Sequence, residues 1–284
     1  MIAHTRQRGV AMLIVLWACT LLAILLGGFA VMSRTEGLQA RYQFAQAQAH
    51  YAAEAGLVQT INGLMSQDPQ QRPIPDGRPY PITFDDAKVI VTVVDEDGKV
   101  DLNSAGGAVL QALFQAAGAP QQRAISLAAA VQDWRSFGIA GLPNGAKAPA
   151  YKAAGLPYGP RNGPFATIEE LQQVLGMDND LYEVVAPVVT IWSGRERPNP
   201  VHAPALALAA IPGMTPDQAN ALLASRQDPN ASVAGANGVT HSIRSEATLA
   251  DGTRAVLRAV VRLRGAQAGS QPYAVLRWQE GDSE

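Results

Sequence analysis

Four histidines, His4, His50, His202 and His241, are the side chains best suited to acid–base or metal chemistry near neutral pH. They fall in no metal-ligand or catalytic-triad spacing, and the chain has no phosphate-binding glycine loop. The densest acidic stretch is Asp95-Glu96-Asp97-Gly98. Consecutive carboxylates invite a calcium reading, but an EF-hand loop takes its glycine at the sixth position and a distal glutamate, and this run does not. The Asp-Gly pair reads instead as a hairpin turn, with Lys99–Leu102 as the short return strand. Cys19 is the single cysteine, so neither an intrachain disulfide nor a cysteine metal site can form. These features point away from an enzyme.

Nucleic-acid chemistry is the next class to weigh. An internal repeat begins at Asn103, with Leu110, Leu113, Gly118, Ala124 and Asp133, and again at Asn199, with Leu206, Ala209, Gly213, Ala219 and Asp228. Each copy reads as an asparagine cap, a short helix, a glycine turn and a second helix. Ile211-Pro-Gly-Met-Thr-Pro-Asp-Gln-Ala219 resembles a helix-hairpin-helix element. In the DNA-binding version a second glycine frees backbone N–H groups for a phosphate; here that position is Thr215. Between Asp101 and Asp228 there are 8 Lys and Arg against 10 Asp and Glu, a balance that does not attract a polyanion. The hairpins therefore read as packing units, and no nucleic-acid partner is expected.

These residues must be positioned by the rest of the 284-residue chain, whose formal net charge is -2 and whose hydrophobic fraction is 48%. From Val10 to Met32 no residue is charged. An apolar run of about 20 residues can cross a bilayer core as a helix. A signal peptide would have an apolar region of roughly 7–15 residues followed by a cleavage site. This run is longer, and it flows without a break into Leu38, Tyr42, Ala45, Ala49, Ala52, Ala53, Leu57, Ile61 and Leu64, which share one helical face. A single helix from Val10 to Ser66 would be roughly 85 Å long at 1.5 Å per residue. Pro69, Pro73, Pro75 and Pro79 then make a connector. Lys88–Val94 reads as a strand, and Phe165–Gly176 as a helix opened by a Thr167–Glu170 capping box. Ser242–Leu249, Arg254–Arg264 and Tyr273–Trp278 read as strands, with Arg258, Arg262 and Arg264 on a solvated face. The expected organisation is a leader at 1–9, a transmembrane and stem helix at 10–66, a connector with the first strands at 67–102, an inserted α-helical domain at 103–238, and C-terminal strands at 239–284. The fold class is α+β: a long N-terminal helix packed on a small antiparallel sheet, with an all-α domain inserted between strands.

The basic head ending in Gly9, followed by an apolar helix that is kept, resembles the type IV pilin and type II secretion pseudopilin superfamily. That resemblance implies peptidase cleavage between Gly9 and Val10, with methylation of the new amine. Most superfamily members carry a glutamate at the fifth mature position, where this chain has Ile14. A tip subunit, with no subunit ahead of it, has no use for that carboxylate. The order of Asp95, Gly98, Leu102, Asn103, Asp133, Trp134, Glu169, Glu170, Leu171, Val174, Gly176 and Met177 is similar to the minor pseudopilin K family of the type II secretion system. The implied role is a pseudopilus tip that starts or caps assembly for export across the outer membrane. The implied partners are the I and J minor pseudopilins, the major pseudopilin, prepilin peptidase and the bacterial inner membrane, with a short cytoplasmic N-terminus and a periplasmic globular part. The alternative is a minor pilin of a type IV pilus or DNA-uptake system that uses the hairpins on DNA. No cofactor is required. The family resemblance implies calcium in the helical domain, where Asp133, Asp178 and Asp180 are the available acids; Lys147 stands where the family pattern has an acid and would repel the ion.

Overall fold

The computed structural model describes residues 8–68, 70–227, 238–264 and 271–281. A single helix, α1 (Arg8–Leu64), runs through the apolar segment and on into the body of the protein. Alanine-rich sequence and the absence of proline keep it unbroken. Its burial changes along its length. Leu38 and Tyr42 are exposed, and cover begins only near Ala45. Ala49, Ala52, Ala53, Leu57, Ile61 and Leu64 are then buried at spacings of three and four. The apolar face thus outruns the sheet that covers it.

That cover is a five-stranded antiparallel sheet of β1 (Asp76–Phe84), β2 (Ala87–Asp95), β5 (Thr240–Thr248), β6 (Arg254–Leu263) and β7 (Tyr273–Glu280), in the order β1-β2-β5-β6-β7. Val89, Val91 and Val93 of β2, Ile243 and Ala247 of β5, and Leu257, Ala259 and Val261 of β6 point at α1 with the period of two that a half-covered sheet requires. Burying each of these larger side chains contributes about 1.5–3 kcal/mol. Gly56 sets how closely the helix approaches. A Cβ there would stand 2.6 Å from Val89 Cγ1 and 2.8 Å from Ser245 Oγ. Gly56→Val should therefore lift the helix off the sheet at a cost of about 2–3 kcal/mol, measured as a drop of several degrees in the thermal midpoint. An unchanged midpoint would place the helix in another register.

Strand β1 was not foreseen, because Pro79 and Pro81 lie within it. It is an edge strand, where a missing N–H costs little, and a register shift between Asp76 and Pro79 absorbs the first proline. The hairpin expected at Asp95–Gly98 is also corrected. Those residues form a short 3₁₀ turn, and the chain does not return along β2. It continues into β3 (Val100–Asp101), which pairs in parallel with β4 (Val189–Thr190). The Asp251-Gly252 turn does join two antiparallel strands, with Gly252 at φ +87°.

Between β2 and β5 lies the helical region: α2 (Gly107–Ala116), α3 (Gln121–Arg135), α4 (Ala148–Ala153), α5 (Asn179–Val185), α6 (Ala205–Ala209) and α7 (Pro216–Gln227). Its own core centres on Leu110, Leu113, Phe114, Leu127, Val131, Trp134, Tyr151, Leu171, Val185 and Leu208. The two repeat copies appear as α2–α3 and α6–α7, each turning at a glycine with positive φ, Gly118 and Gly213. Helices α2 and α6 pack together, so the copies face one another. The asparagine caps do not form as expected. Asn103 lies before the N-cap Gly106 and bonds instead to the backbone of Phe165, while Asn199 makes a local turn ahead of α6. Asp228 lies outside the described residues.

Candidate functional site

Three features can carry function: the anchoring helix, the acidic joint, and the loop that follows Trp134. On α1, the segment from Val10 onward is long and apolar enough to cross a membrane, and none of that apolar window is buried. Val10 and Ile14 are 60% and 63% exposed. Residues 1–7, which include His4 and Arg6 of the expected leader, lie outside the described residues, while Gly9 falls within α1.

The acidic run that resembled a calcium loop is the joint between sheet and helical region. Asp95 is fully buried; its Oδ1 accepts from the Asp97 amide at 2.9 Å and its Oδ2 from the Gly238 amide at 2.6 Å. Glu96, 1% exposed, accepts from Lys99 Nζ at 2.7 Å and Ser242 Oγ at 2.5 Å, and also from the Thr190 hydroxyl. Asp97 is met by Arg195 at 3.3 Å, and burial, followed by the nearby Asp95, pushes its carboxyl above the usual range. Asp101 receives the Asn103 and Ser104 amides on one oxygen and the Gly194 amide and Ser193 hydroxyl on the other. Each carboxylate is thus spent on chain segments on opposite sides of the joint. Gly98 lets those segments meet, since a Cβ there would lie 2.5 Å from the His202 carbonyl oxygen. His202 and His241 are buried beside Asp95, and His202 Nε2 is 3.6 Å from its Oδ2, too far for a hydrogen bond. Burial pushes both imidazoles below their usual range, against the pull of Asp95.

Of the arginines expected on a solvated sheet face, Arg262 and Arg264 are exposed and Arg258 is half-buried. Arg262 donates to the Trp192 carbonyl at 2.9 Å and to Thr240 Oγ1 at 3.1 Å, and Arg277 pairs with Glu169 at 2.9 Å. Glu169 lies in a 3₁₀ helix, Ile168–Gln173. Its expected capping box is absent: Thr167 makes no side-chain cap bond, and Glu170 pairs with Arg161 and meets the Trp134 indole N–H. The helical region thus reaches the outer sheet face through these contacts, with a cavity between Arg258, Val260 and Arg277 on one side and Ile168, Tyr182 and Trp192 on the other.

The second hairpin carries a reciprocal cap at the start of α7. Thr215 Oγ1 accepts from the Gln218 amide at 3.2 Å, and Gln218 Oε1 accepts from the Thr215 amide at 3.0 Å. This reciprocal cap occupies two of the N–H groups at the α7 terminus that a phosphate would use.

The three candidate metal ligands are not brought together. Asp133 is buried at the end of α3. Asp178 caps α5 through the Leu181 amide and pairs with Arg123, and these bonds hold its carboxyl below the usual range. Asp180 is exposed. Among the described residues no group of three or more His, Cys, Asp or Glu could hold a metal ion. The sequence marks Lys147 only as a charge that would repel a cation, and the structure places it as an organiser of the loop. Its ammonium donates to the Asp133 and Ser136 carbonyls and to Asn162 Oδ1.

Residues 90–194, which span the joint, the first repeat and this loop, match the family model described as type II secretion system (T2SS), protein K. Type II secretion system protein K of Klebsiella pneumoniae is 26% identical over 206 residues, covering 65% of this chain and 62% of that protein. Its counterpart in Pectobacterium carotovorum subsp. carotovorum is 27% identical over 212 residues, covering 66% of this chain and 63% of the relative. The alignments thus span less than two thirds of either relative. In fold, the chain is similar to one chain of the GspK–GspI–GspJ complex from the type 2 secretion system of enterotoxigenic Escherichia coli. The TM-score is 0.57 at 18% identity, over 88% of this chain and 99% of that one. The resemblance carried by the order of Asp95, Asn103, Asp133, Trp134 and Glu169–Met177 is thus met again in sequence and in fold.

Proposed function

We propose that this chain is a minor pseudopilin of a type II secretion system, seated at the tip of the pseudopilus and starting or capping its assembly for export across the outer membrane. The observation that carries the reading is the continuity of α1. One half is apolar and uncovered, and the other is clamped to a sheet whose strands are parted by the helical region that matches the protein K family model. An uncovered apolar half suits a bilayer before assembly and the stems of neighbouring subunits after it. The helical region is tied to the sheet at the end of β2 and by contacts on its outer face, and gives the stem a bulky head. On this reading α1 anchors the chain in the inner membrane with the head in the periplasm, prepilin peptidase cuts after Gly9, the major pseudopilin stacks below, and the chain works by assembly rather than turnover.

The test is co-expression of the full chain with the I and J minor pseudopilins and the prepilin peptidase of its own system. A complex of all three subunits should be recovered from detergent, with Val10 as the first residue of this chain by mass. Recovery of the processed chain without either partner would overturn the tip role and direct attention to a pilus. Ile14→Glu should leave processing intact and alter assembly, seen as pseudopili of changed number or length. Unaltered pseudopili would remove the reason offered for the missing carboxylate.

A further inference from the structure

A lysine has three N–H donors and no acceptor. At Lys147 each donor finds an oxygen: the Asp133 carbonyl at 2.7 Å, the Ser136 carbonyl at 2.7 Å and Asn162 Oδ1 at 2.9 Å. The residue is 8% exposed. Removing an ammonium from water costs several kcal/mol unless its donors are satisfied, so a fully bonded, buried one marks a built site. The acceptors come from the last turn of α3, from the residue just after it, and from the far end of the loop. One cation therefore ties both ends of the loop to the helix that launches it. Asp133 adds a second tie, because its carboxylate accepts from the Leu142 amide at 3.1 Å, and the bare Gly145 lies so close to that carboxylate that a Cβ would collide with it. Tyr151 of α4 is buried in the core, but in the first part of the loop the large apolar side chains are uncovered: Phe137 is 81% exposed and Ile139 is 97% exposed. That part is tied by polar contacts around Lys147 and Asp133.

The family resemblance implies calcium in this region, and the residues do not fit it. Calcium takes six to eight oxygens at about 2.3–2.6 Å, several of them carboxylate. The oxygens around Lys147 are two carbonyls and one amide, with the ammonium already at their focus. Asp178 is committed to Arg123 and to its helix, and Asp180 faces solvent.

We propose that Lys147 is a resident cation that organises the 136–163 loop in place of a metal ion, so that the order of this loop does not depend on divalent cations. The full chain in detergent micelles should show the same thermal midpoint, and the same rate of proteolysis within 136–146, in millimolar calcium as in EDTA. A midpoint raised by calcium, or a loop opened by EDTA, overturns the proposal. Lys147→Met should speed cleavage within 136–146 by about tenfold or more, as expected for loss of local order, and calcium should not restore protection. Wild-type protection in that variant also overturns it. Should the variant fail to fold, amine acetylation of the native wild-type chain decides: Lys147 should label about tenfold more slowly than the exposed Lys152, and equal labelling of the two refutes the latch.

Discussion

Replacing Gly98 with alanine should unseat the helical region from the sheet. The added Cβ would lie 2.5 Å from the His202 carbonyl oxygen, 2.6 Å from its carbon and 2.9 Å from the Ala203 amide. All three are backbone atoms, so no rotamer change relieves the collision. This distinguishes Gly98 from Gly56, whose near neighbours are side chains. Relief requires the Asn199–Ala203 segment to move, and that segment is tied to the joint by the Asn199 amide, which donates to the Asp97 carbonyl at 2.7 Å. The expected cost is about 3 kcal/mol or more, at the upper end for overpacking, or a fall of roughly 6–12 °C in thermal midpoint for a body of this size. Gly106→Ala is the control. That glycine has an ordinary φ and nothing within 4 Å of the added carbon, so its midpoint should move by no more than a degree or two. Equal effects at both positions would mean that the close approach at Gly98 is not what joins the two regions.

The joint also shows where reading the sequence reached its limit. Alternating valines identify β2 and its buried face without help, because a strand half covered by a helix must repeat every two residues. The membrane-length run and the Ala-rich stem are legible for the same kind of reason. Strand β1 is hidden because proline argues against a strand until the strand is known to lie at an edge. The role of Asp95–Asp97 is hidden because a local pattern of acids reads as a turn or an ion loop, whereas its partners, Thr190, Asn199, His202 and Ser242, are about a hundred residues or more away in the chain. Lys147 is the sharpest case. Its type was enough to argue against calcium, but only the placement of Ser136 and Asn162 around it reveals that it does an ion's work. The local signal available was a lysine in a Gly-, Pro- and Asn-rich loop that also holds Lys152, and only burial, which requires several acceptors for a charge, sets the two apart.

Acidification from pH 7.5 to 5 should destabilise the folded chain through His202 and His241. Both imidazoles are buried, at 3% and 0% exposure, and neither makes a hydrogen bond among the described residues. Burial holds both below the ordinary 6.5, with Asp95 pulling the other way. The remaining charges around them come from several elements: Glu96 from the joint, Asp76 from β1 and Arg226 from α7, while His202 opposes the protonation of His241. With folded values depressed, the unfolded chain takes up protons first as pH falls through 6.5. Their stabilising contribution is present above that value and is lost on descending toward the folded values. Each proton taken up only on unfolding contributes about 1.4 kcal/mol per pH unit, so two give a limiting slope of about 2.7 kcal/mol per unit. Carboxylates act in a lower window. Burial would raise Glu246, but Arg244 and Arg254 hold it below its ordinary 4.5, so its contribution is lost only under stronger acid. Asp97, raised by burial and by Asp95, has the opposite sign and favours the folded state in acid. Thermal midpoints measured across pH 7.5–5 should therefore fall in the wild-type chain and fall less steeply in His241→Leu, which removes one imidazole without adding a charge to the interior. An equal slope in that variant would show that His241 takes up no proton on unfolding in this range and that the protons enter elsewhere.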